Sequence, residues 1–313
     1  MDASIPDLLR LLVVPALGWA ALRDVRTRRV PNDLWGPLVL LGGVLVLWEG
    51  LLALGTPNAF RPFAIRVAFS LLFVVPLAYA FWYVGGFGGA DARAFMTLAV
   101  VYPTYPTYEL LGYSLPAVET YLGVFSLTIL TNTVLLGLAY PLALGVRNAL
   151  GGEFSVVMFV GRRVPVLELT DTHGSLLETE SGFTRDGLDL DALRMYLRWR
   201  GLTLDDLREN PGLRDPATLP DDPADPTDGA VVTDGSGDPW GAAAFLDDIE
   251  GSAYGTTPAD LREGLDVVVD SEDVWVTPGV PFIVPLFVGL LLALTAGDVL
   301  FWTMDALGLV AGT

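Results

Sequence analysis

Long apolar runs separated by short polar connections dominate the first half of the chain, and one more lies near its end. The six runs are Ile5 to Leu22, Leu34 to Leu54, Phe63 to Tyr83, Ala92 to Tyr102, Val118 to Leu144 and Pro281 to Trp302. Five of them have 18 or more residues, which is long enough for a helix to cross the hydrocarbon core of a bilayer. The pattern therefore predicts an all-α, polytopic membrane core of about six transmembrane helices.

The first and fourth runs carry features that a plain hydrophobic span lacks. The first has Asp2, Asp7 and Arg10 near its start and no small-residue cleavage site, so we expect a retained helix and not a signal peptide. The fourth has only eleven residues before Pro103 and Pro106 interrupt it. We expect it to be short, tilted or continued by the tyrosine-rich stretch that follows.

The distribution of arginine predicts an orientation in the membrane. Arginines follow the first span, open the fourth and follow the fifth: Arg23, Arg26, Arg28, Arg29, Arg93, Arg147, Arg162 and Arg163. Because basic residues favour the cytoplasmic side, the N-terminus is expected outside and these groups inside. The orientation requires the weak fourth span. Arg61 and Arg66 oppose it but are outnumbered.

The polar segment between the fifth and sixth spans carries almost all of the charge. Residues 150–273 hold 27 Asp and Glu against nine Arg, a net charge of −18, and the whole chain has −19. Local patterns predict strands at Val156–Val160 and Val164–Leu169, a helix at Leu188–Arg200 and a flexible loop at Asp215–Trp240. We therefore predict three segments: a membrane core at 1–147 with about five transmembrane helices, an acidic, cytoplasmic, α+β and partly disordered domain at 148–277, and a final helix with a short tail at 278–313.

The choice of charged residues adds an expectation about the source. All 18 basic residues are Arg, Lys is absent, and the polar segment is rich in Asp. Dense carboxylate surfaces stay soluble where salt screens their self-repulsion, so the composition predicts a salt-adapted, haloarchaeal protein. The alternative is an ordinary acidic surface segment. Cysteine is absent, which excludes a disulfide, a thiolate zinc site and a cysteine nucleophile.

Two aspartates stand out because the predicted topology places both at one membrane face. Asp24 follows the first span in an arginine-rich segment, and Asp91 ends a glycine-rich run, residues 85–91, before the fourth span. Glycines remove side-chain bulk and let a neighbouring helix or a substrate backbone approach closely. The alternatives are a salt-bridged topology determinant for Asp24 and a flexible loop or helix-packing surface for the glycines.

These segments resemble the archaeal preflagellin and prepilin peptidases, relatives of the bacterial type IV prepilin peptidases. Gly86-Phe87-Gly88-Gly89-Ala90-Asp91 matches the family's Gly-x-Gly-x-x-Asp motif at every fixed position. Asp24 with the downstream Val30-Pro31-Asn32 resembles the family's first aspartate motif, and two spans separate the acids as in the family. Residues 274–282 resemble the entry into the last helix of the archaeal subgroup. The resemblance covers the membrane core and not the acidic segment.

The resemblance implies a membrane aspartic endopeptidase that removes basic leader peptides from pilin-like or archaellin precursors at the cytoplasmic face. Asp24 and Asp91 would be its catalytic pair, supported by the motif residues Gly86, Gly88, Pro31 and Asn32. No metal or other cofactor is implied. No methyltransferase activity is expected, since the cysteine-rich insertion of many bacterial relatives is missing. Expected partners are the precursors and membrane lipid, not nucleic acid, and the oligomeric state stays open.

Two further functions are compatible with the same residues. Asp24 and Asp91 could serve a cation- or proton-coupled transporter, or the chain could be a membrane scaffold. Glu49 and Asp305 are expected to be solvated near the outer ends of spans, and Asp298 to form packing hydrogen bonds or to assist the site. His173 is the only histidine, which argues strongly against a His-based zinc peptidase.

Overall fold

The structure, a computed structural model, describes residues 2–27, 30–84, 87–179, 182–184, 187–219, 238–249, 253, 255–278 and 282–308. The chain divides into two compact units, Met1–Tyr140 with Pro281–Thr313 and Pro141–Val280. Each unit buries its own cluster of apolar side chains.

The first unit is a bundle of helices with one small sheet. Its elements are β1 Asp2–Ala3, α1 Ile5–Arg10, α2 Val13–Thr27, α3 Trp35–Leu54, α4 Phe60–Phe69, α5 Val75–Tyr83, α6 Gly89–Val101, β2 Tyr108–Leu110, β3 Tyr113–Leu115, the first part of α7 Phe125–Leu150, α12 Ile283–Thr295 and α13 Val299–Ala306. A π-helical turn at Ser70–Val74 joins α4 to α5. The three strands form an antiparallel sheet in the order β1-β2-β3.

The helices of this unit make a multi-pass membrane protein. Among the described residues, four helices are long and apolar enough to cross a membrane: Ile5–Arg26, Asn32–Leu54, Phe60–Tyr83 and Phe125–Leu150. The predicted spans at 92–102 and 281–302 correspond to shorter helices, α6 and α12. Gly297, in the left-handed backbone conformation with φ +86°, follows the end of α12, and Asp298 is the N-cap of α13. The predicted helical membrane core with a strand-containing segment is confirmed.

Two glycines let helices of this unit approach closely. A Cβ on Gly42 of α3 would lie 2.9 Å from the backbone nitrogen of Val101 on α6. A Cβ on Gly289 of α12 would lie 3.0 Å from the backbone nitrogen of Thr133 on α7. Small residues at such crossings are characteristic of helix packing in membranes, because they allow backbone-to-backbone contact.

The second unit is an α+β fold whose helices and strands share one apolar core. Its elements are the last part of α7, β4 Arg162–Pro165, β5 Gly174–Leu176, β6 Glu178–Thr179, β7 Gly182–Phe183, α8 Leu190–Arg200, α9 Leu204–Glu209, α10 Ala242–Asp248, α11 Pro258–Asp270 and β8 Asp273–Pro278. β8 is the central strand of an antiparallel sheet in the order β4-β8-β5. Trp199, Trp240, Tyr196 and Phe245 are fully buried in its core.

Local predictions in this unit had mixed outcomes. The helix predicted at Leu188–Arg200 is confirmed as α8. The strand predicted at Val156–Val160 is wrong, because Ser155 caps a 3-10 turn there by accepting the Val157 N–H at 3.2 Å. The strand predicted at Val164–Leu169 is wrong beyond Pro165, since residues 166–171 form a 3-10 helix that buries positions 166 and 169, three apart.

The predicted flexible loop Asp215–Trp240 falls mostly on residues 220–237, outside the described residues. The last residue of that range, Trp240, is described and is buried. Trp240 is 1% exposed, and its indole N–H donates to Asp266 at 2.9 Å. Trp240 is therefore part of the core of the second unit.

Candidate active site

Asp24 extends the buried stripe of α2. The buried residues of this helix are Val13, Leu17, Ala20 and Ala21, which recur at the spacing of one helix face. Asp24 lies four residues after Ala20 and three after Ala21, so it continues the same face by one turn. Its side chain is partly buried. The apolar stripe therefore ends in a carboxyl group.

Asp91 extends the buried stripe of α6 in the opposite direction along the chain. Ala94, Phe95 and Leu98 are buried on this helix, and Asp91 precedes them by three, four and seven residues. It occupies the first turn, and its Oδ2 accepts the backbone N–H of Gly88, the N-cap residue, at 3.1 Å. A carboxylate at this position satisfies one of the free N–H groups of a helix start.

The two stripes pack into the same core. Arg10, which ends α1 just before α2 begins, donates from Nε to the carbonyl oxygen of Val101, the last residue of α6, at 2.9 Å. From the start of α2 at Val13 to Asp24 is about 17 Å of helix, and from Val101 back to Asp91 is about 15 Å. Both carboxyls therefore lie at the same end of the bundle.

Electrostatic coupling between the two acids is visible at Asp91. Burial raises the pKa of Asp91, the negative charge of Asp24 raises it further, and the Gly88 N–H lowers it, with a result of about 7. Burial and a nearby negative charge both favour the protonated form of a carboxyl, so Asp91 gains and loses its proton near neutral pH. One carboxylate and one carboxylic acid can then coexist in the site.

Two residues of the first motif hold the connection between α2 and α3 against α6. Pro31 precedes a 3-10 turn at Asn32–Leu34. The side-chain oxygen of Asn32 accepts a hydrogen bond from Arg93 Nη1 at 2.5 Å. Arg93 lies two residues after Asp91, so this bond ties the connection to the first turn of α6.

The glycine motif is explained in part. A Cβ on Gly88 would lie 2.8 Å from Oδ2 of Asp91, so a side chain there would displace the carboxyl group. A Cβ on Gly89 would meet its nearest neighbours, Trp82 and Arg93, at 3.7 and 3.8 Å, which are ordinary contact distances. Gly86 lies outside the described residues.

An aromatic cluster that the sequence analysis missed lies beside Asp91. Phe87 stacks on Phe95 with ring centroids 5.3 Å apart and contacts Phe81 at 5.1 Å and Phe282 at 4.9 Å. Phe81, Phe87 and Phe282 line an apolar cavity of about 560 Å³. The cavity continues along one face of α7 past Leu138, Val134 and Leu130. Phe87 and Phe95, four residues before and after Asp91, were the available signal.

The other acids singled out from the sequence have structural partners. Glu49, expected to be solvated, instead pairs with buried Arg10 at 2.6 Å, because the guanidinium requires a counter-charge there. Asp298 accepts the Phe301 N–H at 3.0 Å and the Thr128 hydroxyl at 3.1 Å. The 13 residues of α12, about 20 Å of helix, separate Asp298 from the aromatic cluster. The expected packing role of Asp298 is confirmed, and its suggested role as a helper of the site stays a prediction.

No group of three or more His, Cys, Asp or Glu that could hold a metal ion occurs among the described residues. Asp305 is exposed, and His173 is exposed near Arg194 in the second unit.

Two protein-family models match the chain. The Type IV leader peptidase family matches residues 11–142, and the Archaeal Peptidase A24 C-terminus Type II matches residues 248–299. Over residues 11–142 this chain is similar to the Type IV leader peptidase family, and over residues 248–299 to the archaeal C-terminal segment. The first match contains Asp24, the connection with Pro31 and Asn32, and the glycine motif that ends in Asp91.

A curated relative supports the same resemblance. The preflagellin peptidase of Methanococcus voltae is 28% identical to this chain over 160 residues. The aligned region is 48% of this chain and 64% of the relative, so the chain covers less than two thirds of that protein. The resemblance to archaeal preflagellin and prepilin peptidases is thereby confirmed.

Proposed function

We propose that this protein is a membrane aspartic endopeptidase that removes leader peptides from pilin-like or archaellin precursors. One observation carries the proposal: Asp24 and Asp91 continue two buried stripes of one core to the same end of the bundle, where burial and the charge of Asp24 raise the pKa of Asp91. The match of residues 11–142 to the Type IV leader peptidase family and the name of the Methanococcus voltae relative support leader peptides as the substrate class.

The pair suits hydrolysis of an amide through an activated water. The ionised carboxyl takes a proton from water while the oxygen of that water forms a bond to the scissile carbonyl carbon. The protonated carboxyl donates its proton to the carbonyl oxygen, giving a neutral tetrahedral diol. Collapse of the diol breaks the C–N bond: the protonated carboxyl gives its proton to the leaving nitrogen, and one diol hydroxyl gives its proton to the ionised carboxyl as the new C=O forms. The pair again holds one proton. The Gly88 N–H orients the Asp91 carboxyl throughout.

The surroundings of the pair suit a precursor with an apolar segment after its leader. The apolar cavity starts at Phe87, four residues before Asp91, and runs along α7. An apolar segment that follows the cleaved bond would fit such a lining, since no charged residue is among those that line it. The distribution of arginine along the sequence favours a cytoplasmic position for the acid pair and the acidic segment.

The test is cleavage of a tagged precursor in an archaeal host that lacks its own leader peptidase. Wild type should shorten the precursor on a gel, and Asp24→Asn and Asp91→Asn should not. Asp33→Asn is the matched control, because Asp33 is an exposed acid in the α2–α3 connection. It should cleave as wild type does.

Membrane levels of all four proteins should be equal, which separates lost chemistry from lost protein. Full cleavage by either dyad variant would refute the two-aspartate mechanism. Intact precursors across several substrates with well-expressed wild type would refute the peptidase and favour a transporter that uses the same acids.

A further inference from the structure

A fully buried arginine lies at the opposite end of the bundle from Asp24 and Asp91. Arg10, at the end of α1, is 1% exposed. Its Nη1 and Nη2 bind the two carboxylate oxygens of Glu49 on α3 at 2.7 and 2.6 Å, and Nη1 also binds Asp7 at 2.7 Å. A forked, bidentate pair of this kind fixes both distance and angle between its partners.

The same arginine is tied to the C-terminus of α6. Its Nε donates to the carbonyl oxygen of Val101, the last residue of α6, at 2.9 Å. In return, the hydroxyl of Tyr102 donates to the carbonyl oxygen of Arg10 at 2.8 Å. Helix C-termini leave carbonyl groups without intrahelical partners and attract cations, so both ends of this contact satisfy groups that a helix end leaves open.

α3 adds a second restraint at the same level. Glu49 lies seven residues after Gly42, so both are on one face of α3. The absence of a side chain at Gly42 brings the α3 backbone against Val101. Glu49 is thus held at a fixed height relative to the end of α6, and through Arg10 it fixes the height of the α1–α2 junction from which α2 starts.

We propose that Arg10 and Glu49 are positioning residues that set the axial register of α2 against α6 and thereby the separation of the Asp24 and Asp91 carboxyls at the far end. The inference rests on the proposed function only for its effect on cleavage.

A tight turn at Leu11 and Leu12 joins Arg10 directly to α2. The helical stretches from Val13 to Asp24 and from Asp91 to Val101 are stiff, so a slide at the Arg10 end reappears at the carboxyls. A buried ion pair adds little to the free energy of unfolding, because apolar residues of similar volume can replace it without loss. It does fix the distance and angle between the helices that carry it.

The experiment measures geometry and catalysis separately. The chain has no cysteine, so Asp24→Cys with Asp91→Cys gives one thiol pair without background. The rate of cross-linking of this pair is compared in chains with and without Glu49→Gln. In chains that keep both aspartates, kcat and KM for a tagged precursor are measured for wild type, Glu49→Gln and the control Glu109→Gln, an exposed acid on β2.

Glu49→Gln should lower kcat by about 10- to 100-fold, as expected for displacements near 1 Å, with KM changed less than about two-fold. It should also slow cross-linking of the thiol pair, while Glu109→Gln changes neither quantity. Unchanged kcat and unchanged cross-linking in Glu49→Gln would overturn the proposal. So would a loss of kcat with unchanged cross-linking.

Two milder variants keep the test open if Glu49→Gln does not accumulate. Tyr102→Phe removes only the bond to the Arg10 carbonyl, and Arg10→Lys keeps the charge but cannot make the forked pair. Both should slow cross-linking, and normal rates in both would overturn the proposal. Cross-linking needs no substrate. A wild-type protein that cleaved nothing would refute the proposed function, and the cross-linking rates would still decide whether Arg10 and Glu49 set the helix register.

Discussion

The two ends of the first unit use carboxyl groups in opposite ways. At one end, Asp7 and Glu49 surround the buried guanidinium of Arg10, so their charges are compensated. At the other end, the charge of Asp24 acts on Asp91 and favours its protonated form. Compensated carboxylates hold helices together, whereas coupled carboxyls keep a proton available near neutral pH. The neighbours decide between structure and chemistry, not the residue type.

The largest expected effect concerns the coupled end. Asp24→Asn and Asp91→Asn should each reduce cleavage by at least about 100-fold, since each removes one partner of the proton transfer. The double variant should be no worse than the more damaged single variant, because the two residues act as one unit. Precursor cleavage rates in purified, detergent-solubilised protein measure this. A double variant whose loss of activity equals the product of the two single losses would contradict a joint role of Asp24 and Asp91.

Moving the carboxyl without removing it should have a smaller effect. Gly88→Ala adds a methyl group that would lie 2.8 Å from Oδ2 of Asp91 and displace the carboxyl. It should lower kcat by about 10-fold or more. Gly89→Ala is the matched control, since a methyl there meets only ordinary contacts, and it should stay within about two-fold of wild type. Equal effects of the two alanines would contradict the steric explanation of the motif.

The pH dependence of stability should also distinguish the two ends. The pKa of Asp91 is raised to about 7, above the value of about 3.9 for an unfolded aspartate. The stability from its bound proton is therefore complete below about pH 4 and is lost as the pH rises through about 7. Asp91→Asn should match wild type in thermal unfolding near pH 4 and be more stable at pH 8. A difference that is independent of pH would contradict the raised pKa of Asp91.

The smallest expected effect is at Asp298, an acid outside both clusters. Asp298→Asn should lower stability by about 1 kcal/mol, because it weakens the cap of α13 and the bond from Thr128. Cleavage should remain within about two-fold of wild type. A large loss of cleavage at normal stability would give Asp298 a part in the site after all.

The sequence predicted the helices because apolar runs of sufficient length are readable along the chain. It indicated Asp24 and Asp91 through the predicted topology and through motifs that resemble a known family. Arg10 and Glu49 were not predicted as a pair, because their pairing joins positions 39 residues apart. The 3-10 turn at Val156–Phe159 also escaped, since β-branched residues favour strands until a serine cap decides otherwise.

The most direct test of the account is cross-linking of thiols at positions 24 and 91. The chain has no native cysteine, so the double substitution reports on this pair alone. A short thiol-reactive cross-linker should join positions 24 and 91 rapidly. It should fail to join positions 24 and 49, which lie at opposite ends of the bundle. Failure to link 24 to 91 while both thiols react with a monofunctional reagent would contradict the acid pair on which the proposed mechanism depends.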